Sequence, residues 1–175
     1  MLRRWRQRRF ERRVRSLDPA EVRHESQRLH GSLTIQGGTL YYSHAGAEVW
    51  SLPVDSLVLI GEHTTDHGPW FADYFYVFVG GVPLCRYEAP MYANPEILRD
   101  LSSMLASTLV PGLANRTDFA SRVIWPPQLA EQPLFEYQPS PRGGLWGLVA
   151  DRVAPLIAST WSPTVRQFLD SGSAA

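Results

Sequence analysis

The chain has 175 residues, enough for one domain with a complete core, and 44% of them are apolar, as in folded rather than disordered proteins. Its formal net charge of zero hides a segregation, because residues 1–28 carry +6 and the remaining residues −6. A single cysteine, Cys85, excludes an intramolecular disulfide framework and a cysteine-based zinc site, and no apolar run is long enough to predict a bilayer-spanning helix.

The first 30 residues form a basic arm. Phe10, Val14 and Leu17 recur at helical spacing within an Arg-rich stretch, which predicts a basic amphipathic helix, followed by a shorter helix over residues 19–29. Such an arm suits nucleic-acid phosphates, an anionic membrane face or a protein partner. Two structural alternatives to binding a partner are that the arm is simply a solvated helix face, or that it docks against the acidic remainder of the chain. The residues expected to bind an anionic partner are Arg3, Arg4, Trp5, Arg6, Arg8, Arg9, Arg12, Arg13 and Arg15.

After Gly31 the apolar spacing changes to that of strands. Short apolar runs are separated by turn residues such as the pair Gly37 and Gly38, which is typical of an antiparallel meander that curls into a barrel or sandwich. The fourth run is almost entirely apolar, which indicates burial on both faces. The six predicted strands cover residues 33–35, 39–43, 48–52, 54–61, 73–79 and 82–88.

An amphipathic helix is predicted over residues 95–109, with Asn94 as its cap and Pro95 in its first turn. Beyond it, repeated prolines over residues 111–142 predict an extended segment that wraps the core, with a short helix around residues 118–123. A helix over residues 145–160, kinked by Pro155, and one or two further turns over residues 163–169 complete the expectation.

These elements predict an α+β fold. A curved antiparallel sheet of six to seven strands, a barrel or roll, is closed by a C-terminal amphipathic helix. The predicted organisation is a basic helical arm over residues 1–30, a β-roll core with its closing helix over residues 31–110, and a Pro-rich, partly helical segment over residues 111–175.

The segments GGTLYYS (37–43), VWSLPVDSLVLIGE (49–62) and DYFYVFVGGVPLCRYE (73–88), followed by the helix, resemble the pleckstrin-homology-like β-roll over residues 31–109. This resemblance implies a role in binding lipids, peptides or proteins. The chain departs from the family in having six predicted strands rather than seven and no tryptophan in the closing helix. Its first hairpin loop lacks a cation, so no phosphoinositide site is carried over.

A polar loop is predicted over residues 62–73, between the two most apolar strands. It contains Glu62, His63, Asp66, His67 and Asp73, and imidazole with carboxylate suits zinc, iron or manganese. The alternative is ordinary turn chemistry around Gly68 and Pro69. A metal site at His63, Asp66 and His67 would make the chain a small metal-dependent hydrolase.

Trp70 and Phe71 in the same loop either anchor a partner at an exposed rim or cap the barrel. Cys85, in an apolar context, is expected to be a small buried hydrophobe rather than a nucleophile. No nucleophile elbow, phosphate-binding glycine loop or dinucleotide fingerprint occurs in the sequence. We therefore predict a non-catalytic binding or scaffolding module with no cofactor. The single cysteine and the absence of an apolar segment after the basic arm favour a cytoplasmic setting, with peripheral membrane association as an option.

Overall fold

The computed structural model describes residues 31–65, 73–114, 116, 119–138 and 158–172, and every structural statement below concerns these residues. They contain nine strands and two α-helices. The strands are β1 (Ser32–Gln36), β2 (Thr39–His44), β3 (Ala47–Pro53), β4 (Leu57–Thr64), β5 (Tyr74–Gly80), β6 (Cys85–Pro90), β7 (Ala120–Trp125), β8 (Phe135–Gln138) and β9 (Ala158–Trp161); the helices are α1 (Ile97–Met104) and α2 (Pro163–Gly172).

The strands form a three-stranded sheet in the order β1-β2-β3, a four-stranded sheet in the order β6-β5-β4-β7, and a C-terminal hairpin of β8 and β9. All strand pairs among the described residues are antiparallel. The α+β class is therefore confirmed. The described strands form no closed barrel, so the finer prediction of one curved sheet is not confirmed.

The four-stranded sheet contributes to two hydrophobic clusters, because the alternating side chains of a strand point to opposite faces. The larger cluster includes Tyr74, Tyr76 and Phe78 of β5 together with residues of the three-stranded sheet and α1. The smaller cluster includes Val77 and Val79 together with residues of the C-terminal hairpin and α2. Tyr74, Tyr76 and Phe78 thus share one face of β5, and Val77 and Val79 share the other.

All six predicted strands of the core are present, and the first hairpin turns at the predicted glycine pair. Gly37 and Gly38 have φ angles of 55° and 78°, a conformation that two-residue hairpin loops require and that glycine adopts without strain. The predicted start of the polar loop is wrong, because β4 continues through Glu62, His63 and Thr64. Their side chains are buried, and their backbones pair with β5 and β7. They are therefore strand residues rather than loop residues.

The predicted closing helix is shorter than expected, since α1 covers eight residues. Its apolar stripe of Ile97, Leu98 and Leu101 is buried in the larger cluster, as predicted. Ser102 contributes to its end: the hydroxyl donates to the Leu98 carbonyl and accepts from the Leu109 backbone N–H at 3.0 Å. The chain beyond the helix is therefore drawn back onto its last turn.

Two predictions for the C-terminal third are wrong. Residues 120–123 belong to β7 rather than to the predicted short helix around residues 118–123. In β7, Val123 is buried in the smaller cluster and Ile124 in the larger cluster. Neighbouring β-branched residues that are buried on both sides suit a strand better than a helix. The helix predicted over residues 145–160 does not reach its expected end, because residues 158–160 pair with β8; residues 145–157 lie outside the described residues. The helical turns predicted from residue 163 are confirmed as α2.

Candidate functional site

Most of the predicted site residues lie outside the part of the chain that the structure describes. This holds for all the arginines of the arm with Trp5, for Asp66 and His67 of the proposed metal set, and for Trp70 and Phe71. His63 is described, and it lies on β4 near the end of the four-stranded sheet. The described residues form two polar clusters, one on each face of this sheet.

The first polar cluster is centred on Glu62, which has no exposed surface and contacts Tyr74 of the larger hydrophobic cluster. Its carboxylate accepts hydrogen bonds from the Tyr74 hydroxyl, the Arg122 Nε–H and the backbone N–H of Gly112, the last at 2.8 Å. Strand register places it there, because Glu62 lies opposite Tyr76 on β5 and opposite Arg122 on β7. We call Glu62, Tyr74, Tyr76, Gly112 and Arg122 the buried Glu62 cluster.

Arg122 donates hydrogen bonds to acceptors on three different segments of the chain. Besides Glu62 on β4, it donates to the carboxylate of Glu131 and to the backbone carbonyl of Val110. A guanidinium with five fixed N–H donors suits such a junction better than a lysine ammonium. Arg122 therefore ties β4, β7 and the chain on either side of β7 together.

The ionisation of the cluster favours this arrangement. Burial, the hydrogen bond to Glu62 and the charge of Glu62 all raise the pKa of Tyr74 above its ordinary value. Burial and the charge of Glu62 likewise raise the pKa of Tyr76. Burial opposes the charge on Arg122, but Glu62 and Glu131 outweigh it, so the pKa of Arg122 is raised. The tyrosines stay neutral and the guanidinium stays charged at neutral pH, which is what a structural hydrogen-bond network requires.

The second polar cluster lies on the opposite face of the sheet and contains His63. Its ring stacks on Phe75 with ring centroids 5.1 Å apart and meets the edge of Phe135 at 5.5 Å. His63 Nε2 lies 3.6 Å from a carboxylate oxygen of Glu88 and has no hydrogen-bond partner among the described residues. We call His63, Phe75, Arg86, Glu88 and Phe135 the His63 cluster.

Arg86 completes the His63 cluster from β6. It pairs with Glu88, and its guanidinium lies over the ring of Phe135, 4.2 Å from the ring centroid. Burial opposes ionisation of Glu88, but His63 and Arg86 outweigh it and hold the pKa of that carboxyl below its ordinary value. Arg86 thus joins the four-stranded sheet to the C-terminal hairpin that covers it.

The structure brings His63 together with Glu88, a residue that the sequence prediction did not include. Among the described residues, no three or more His, Cys, Asp or Glu side chains are grouped so as to hold a metal ion. Cys85 is exposed rather than buried, which contradicts the prediction. It is the first residue of β6 and directly follows the turn over residues 81–84.

Arg122 and Gly112 were also missed, since the sequence shows no periodic feature around them. The detectable signal was Glu62 itself. A carboxylate on the same strand face as the buried Ile60 needs a cation or several N–H donors. Such a carboxylate therefore indicates an arginine on a neighbouring strand.

No helix within the described residues combines the length and apolar character needed to cross a membrane. Comparison of the chain with protein-family models, with curated proteins and with solved structures finds no match.

Proposed function

We propose that this chain is a non-catalytic binding or scaffolding module that associates with an anionic surface or partner through its Arg-rich N-terminal arm. The observation that carries this proposal is the segregation of charge: ten arginines against four acids in residues 1–28, and seven against thirteen in the rest. Arginine guanidinium groups suit phosphate and carboxylate groups because their N–H donors form a fork. Trp5 would add an amphipathic ring of the kind that accumulates at membrane interfaces.

The buried Glu62 cluster supports a scaffolding role for the folded part. Glu62 is fully buried and already accepts three hydrogen bonds, so it is engaged in holding strands together rather than exposed to a substrate. Arg122 is likewise engaged by three acceptors. A folded part whose buried Glu62 cluster is structural suits a rigid platform for a binding arm.

The finer fold assignment belongs to the same proposal. We propose that the two larger sheets and α1 form a roll of the pleckstrin-homology-like type. In support, residues of both sheets and of α1 share the larger hydrophobic cluster. The Trp50 indole also donates to the Glu88 carbonyl at 2.9 Å and thereby bridges β3 and β6, which belong to different sheets.

The experiment measures binding of the full chain to three anionic probes, duplex DNA, single-stranded RNA and vesicles containing phosphatidylserine, over a range of salt concentrations. We expect binding to at least one probe that weakens steeply as salt rises, because released counterions drive such association. Replacing the eight arginines of residues 3–15 by glutamine should abolish it. A matched control, Arg99→Gln and Arg166→Gln, removes exposed cations outside the arm. Binding that is absent for all three probes, or that is equal for the arm variant, would contradict the proposal.

A metal-dependent hydrolase that uses His63, Asp66 and His67 is the competing proposal. The observation that favours it is the buried His63 Nε2, which has no hydrogen-bond partner among the described residues. Elemental analysis of the purified protein and of its His63→Ala variant tests it. Stoichiometric transition metal that is lost in the variant would support the hydrolase, whereas protein without bound metal after incubation with zinc, iron and manganese would exclude it.

A further inference from the structure

The turn between β5 and β6 and the first residue of β6 present four consecutive exposed apolar residues: Val82, Pro83, Leu84 and Cys85. Val82 has its entire surface exposed and Leu84 has 37% exposed. We propose that this β5–β6 tip, residues 81–85, inserts into the hydrocarbon edge of an anionic lipid bilayer. The inference rests on the proposed function, since it identifies a bilayer as the anionic surface that the arm binds.

Exposure of this kind is unusual for a surface turn. Single exposed apolar side chains are common on protein surfaces, but a run of three or four without a polar residue is not expected unless it serves an interaction. No charged residue occurs between Tyr74 and Cys85 in the sequence. The tip is also attached to the core: the Gly81 N–H donates to the Ser56 carbonyl at 3.4 Å, and Gly81 lies close to the Leu52 side chain.

The chemistry of the tip fits a bilayer better than a protein groove or a second copy of the chain. None of its four apolar residues is an aromatic or an arginine, the residue types that dominate protein interfaces. So few residues cannot bury the area of a stable dimer interface. Insertion of aliphatic side chains into hydrocarbon needs no shaped partner. The charged groups near the tip oppose its approach to an anionic bilayer only weakly. The charge of Glu88 is paired with Arg86, which leaves Asp55 as a single exposed carboxylate.

The arm supplies the second signal that peripheral membrane association requires. One weak apolar anchor gives marginal binding, and a basic segment together with such an anchor gives stable binding. Gly31, the first described residue, lies at the Ser43 end of the three-stranded sheet, whereas the tip lies at the Leu52 end of that sheet. Strand register separates the two positions by about four residues, or roughly 13 Å. A helical arm at about 1.5 Å per residue is longer than this separation, so the arm and the tip can reach one membrane surface.

Cys85 makes this proposal directly testable, because it is the only cysteine of the chain and lies at the base of the tip. The full chain is labelled there with an environment-sensitive fluorophore and mixed with phosphatidylcholine vesicles, with or without phosphatidylserine. We expect a blue shift with the anionic vesicles and quenching by nitroxides placed on the lipid acyl chains. Vesicle binding without either change would overturn tip insertion and leave the proposed function standing.

A second measurement uses unlabelled variants and vesicle sedimentation. Val82→Ser with Leu84→Ser should lower the partition coefficient about tenfold or more, because both aliphatic groups leave the hydrocarbon. The matched control, Val49→Ser with Val110→Ser, replaces residues that are 57% and 60% exposed elsewhere and should change it by less than about twofold. Equal binding of the tip variant and the wild type would overturn the inference. A chain that binds nucleic acid through its arm but no vesicle would also overturn it, while the proposed function would stand.

Discussion

Glu62 and Arg122 face each other across β4 and β7 and form an ion pair inside the core, where Glu62 has no exposed surface. A buried pair does not have to be more stabilising than an apolar pair of the same size. Removing one partner, however, leaves the other charge without compensation in a low-dielectric environment. Because of this asymmetry, the described fold is sensitive to the loss of either partner.

Replacing Arg122 by methionine should therefore lower the free energy of unfolding by about 3–5 kcal/mol. The variant keeps a long apolar side chain but removes the charge opposite Glu62 and the donors to Glu131 and Val110. Urea denaturation followed by tryptophan fluorescence measures the change.

The control for this variant is Arg99→Met. Arg99 pairs with Glu96 at 2.7 Å, but both side chains are largely exposed, so the loss should stay below about 1 kcal/mol. Adding Glu62→Gln to the Arg122 variant should cost less than Glu62→Gln alone, since the two residues interact. Similar losses for the Arg122 and Arg99 variants would show that the buried pair contributes no more than a surface pair.

High pH should destabilise the fold through Tyr74 and Tyr76. Their pKa values are raised in the folded state, so above pH ~10 the unfolded chain releases these protons while the folded chain keeps them. The free energy of unfolding should consequently fall as pH rises, by up to about 1.4 kcal/mol per pH unit for each tyrosine. Urea denaturation at a series of alkaline pH values measures this slope.

The variant Tyr76→Phe assigns the alkaline effect. The variant lacks the Tyr76 hydroxyl proton in both the folded and the unfolded state. The free energy of unfolding should therefore fall less steeply with pH above pH ~10 than in the wild type. Ultraviolet absorbance of tyrosinate in the folded protein provides an independent readout. Normal titration of every tyrosine before unfolding begins would be inconsistent with this account.

Gly112 should tolerate no side chain. Its backbone N–H donates to Glu62, and a Cβ atom added there would overlap the guanidinium of Arg122. The guanidinium cannot move aside easily because three acceptors hold it. Gly112→Ala should lower the free energy of unfolding by about 1–3 kcal/mol, as expected for overpacking. If the variant is as stable as the wild type in thermal denaturation, the close packing around Arg122 is not required.

The sequence predicted the strands of the core well because strand spacing is a local property. The alternation Tyr74, Tyr76 and Phe78 against Val77 and Val79 is visible in six residues, and the Gly37–Gly38 turn is equally local. The Glu62–Arg122 pair was not predictable in this way, since its members are separated by 60 positions and meet only through the pairing of β4 with β7.

The same limitation explains the misplaced loop and the missed strand. His63 looked like a turn residue beside Asp66 and His67, but tertiary packing against Phe75 and Phe135 makes it part of a strand. β7 was hidden by the surrounding prolines, and its identity as a strand depends on the free edge of β4 that it covers. Local propensity is overridden wherever a neighbouring strand supplies hydrogen-bond partners.

The most direct test of the proposed function is the salt dependence of binding to duplex DNA, single-stranded RNA and phosphatidylserine-containing vesicles, measured for the full chain and for the variant in which the eight arginines of residues 3–15 are glutamine. The wild type should associate strongly with at least one of these probes at low salt, and this association should decline steeply as salt increases. The glutamine variant should associate weakly at every salt concentration. Association that does not depend on salt, or that is the same for the two proteins, would contradict a function based on the Arg-rich arm.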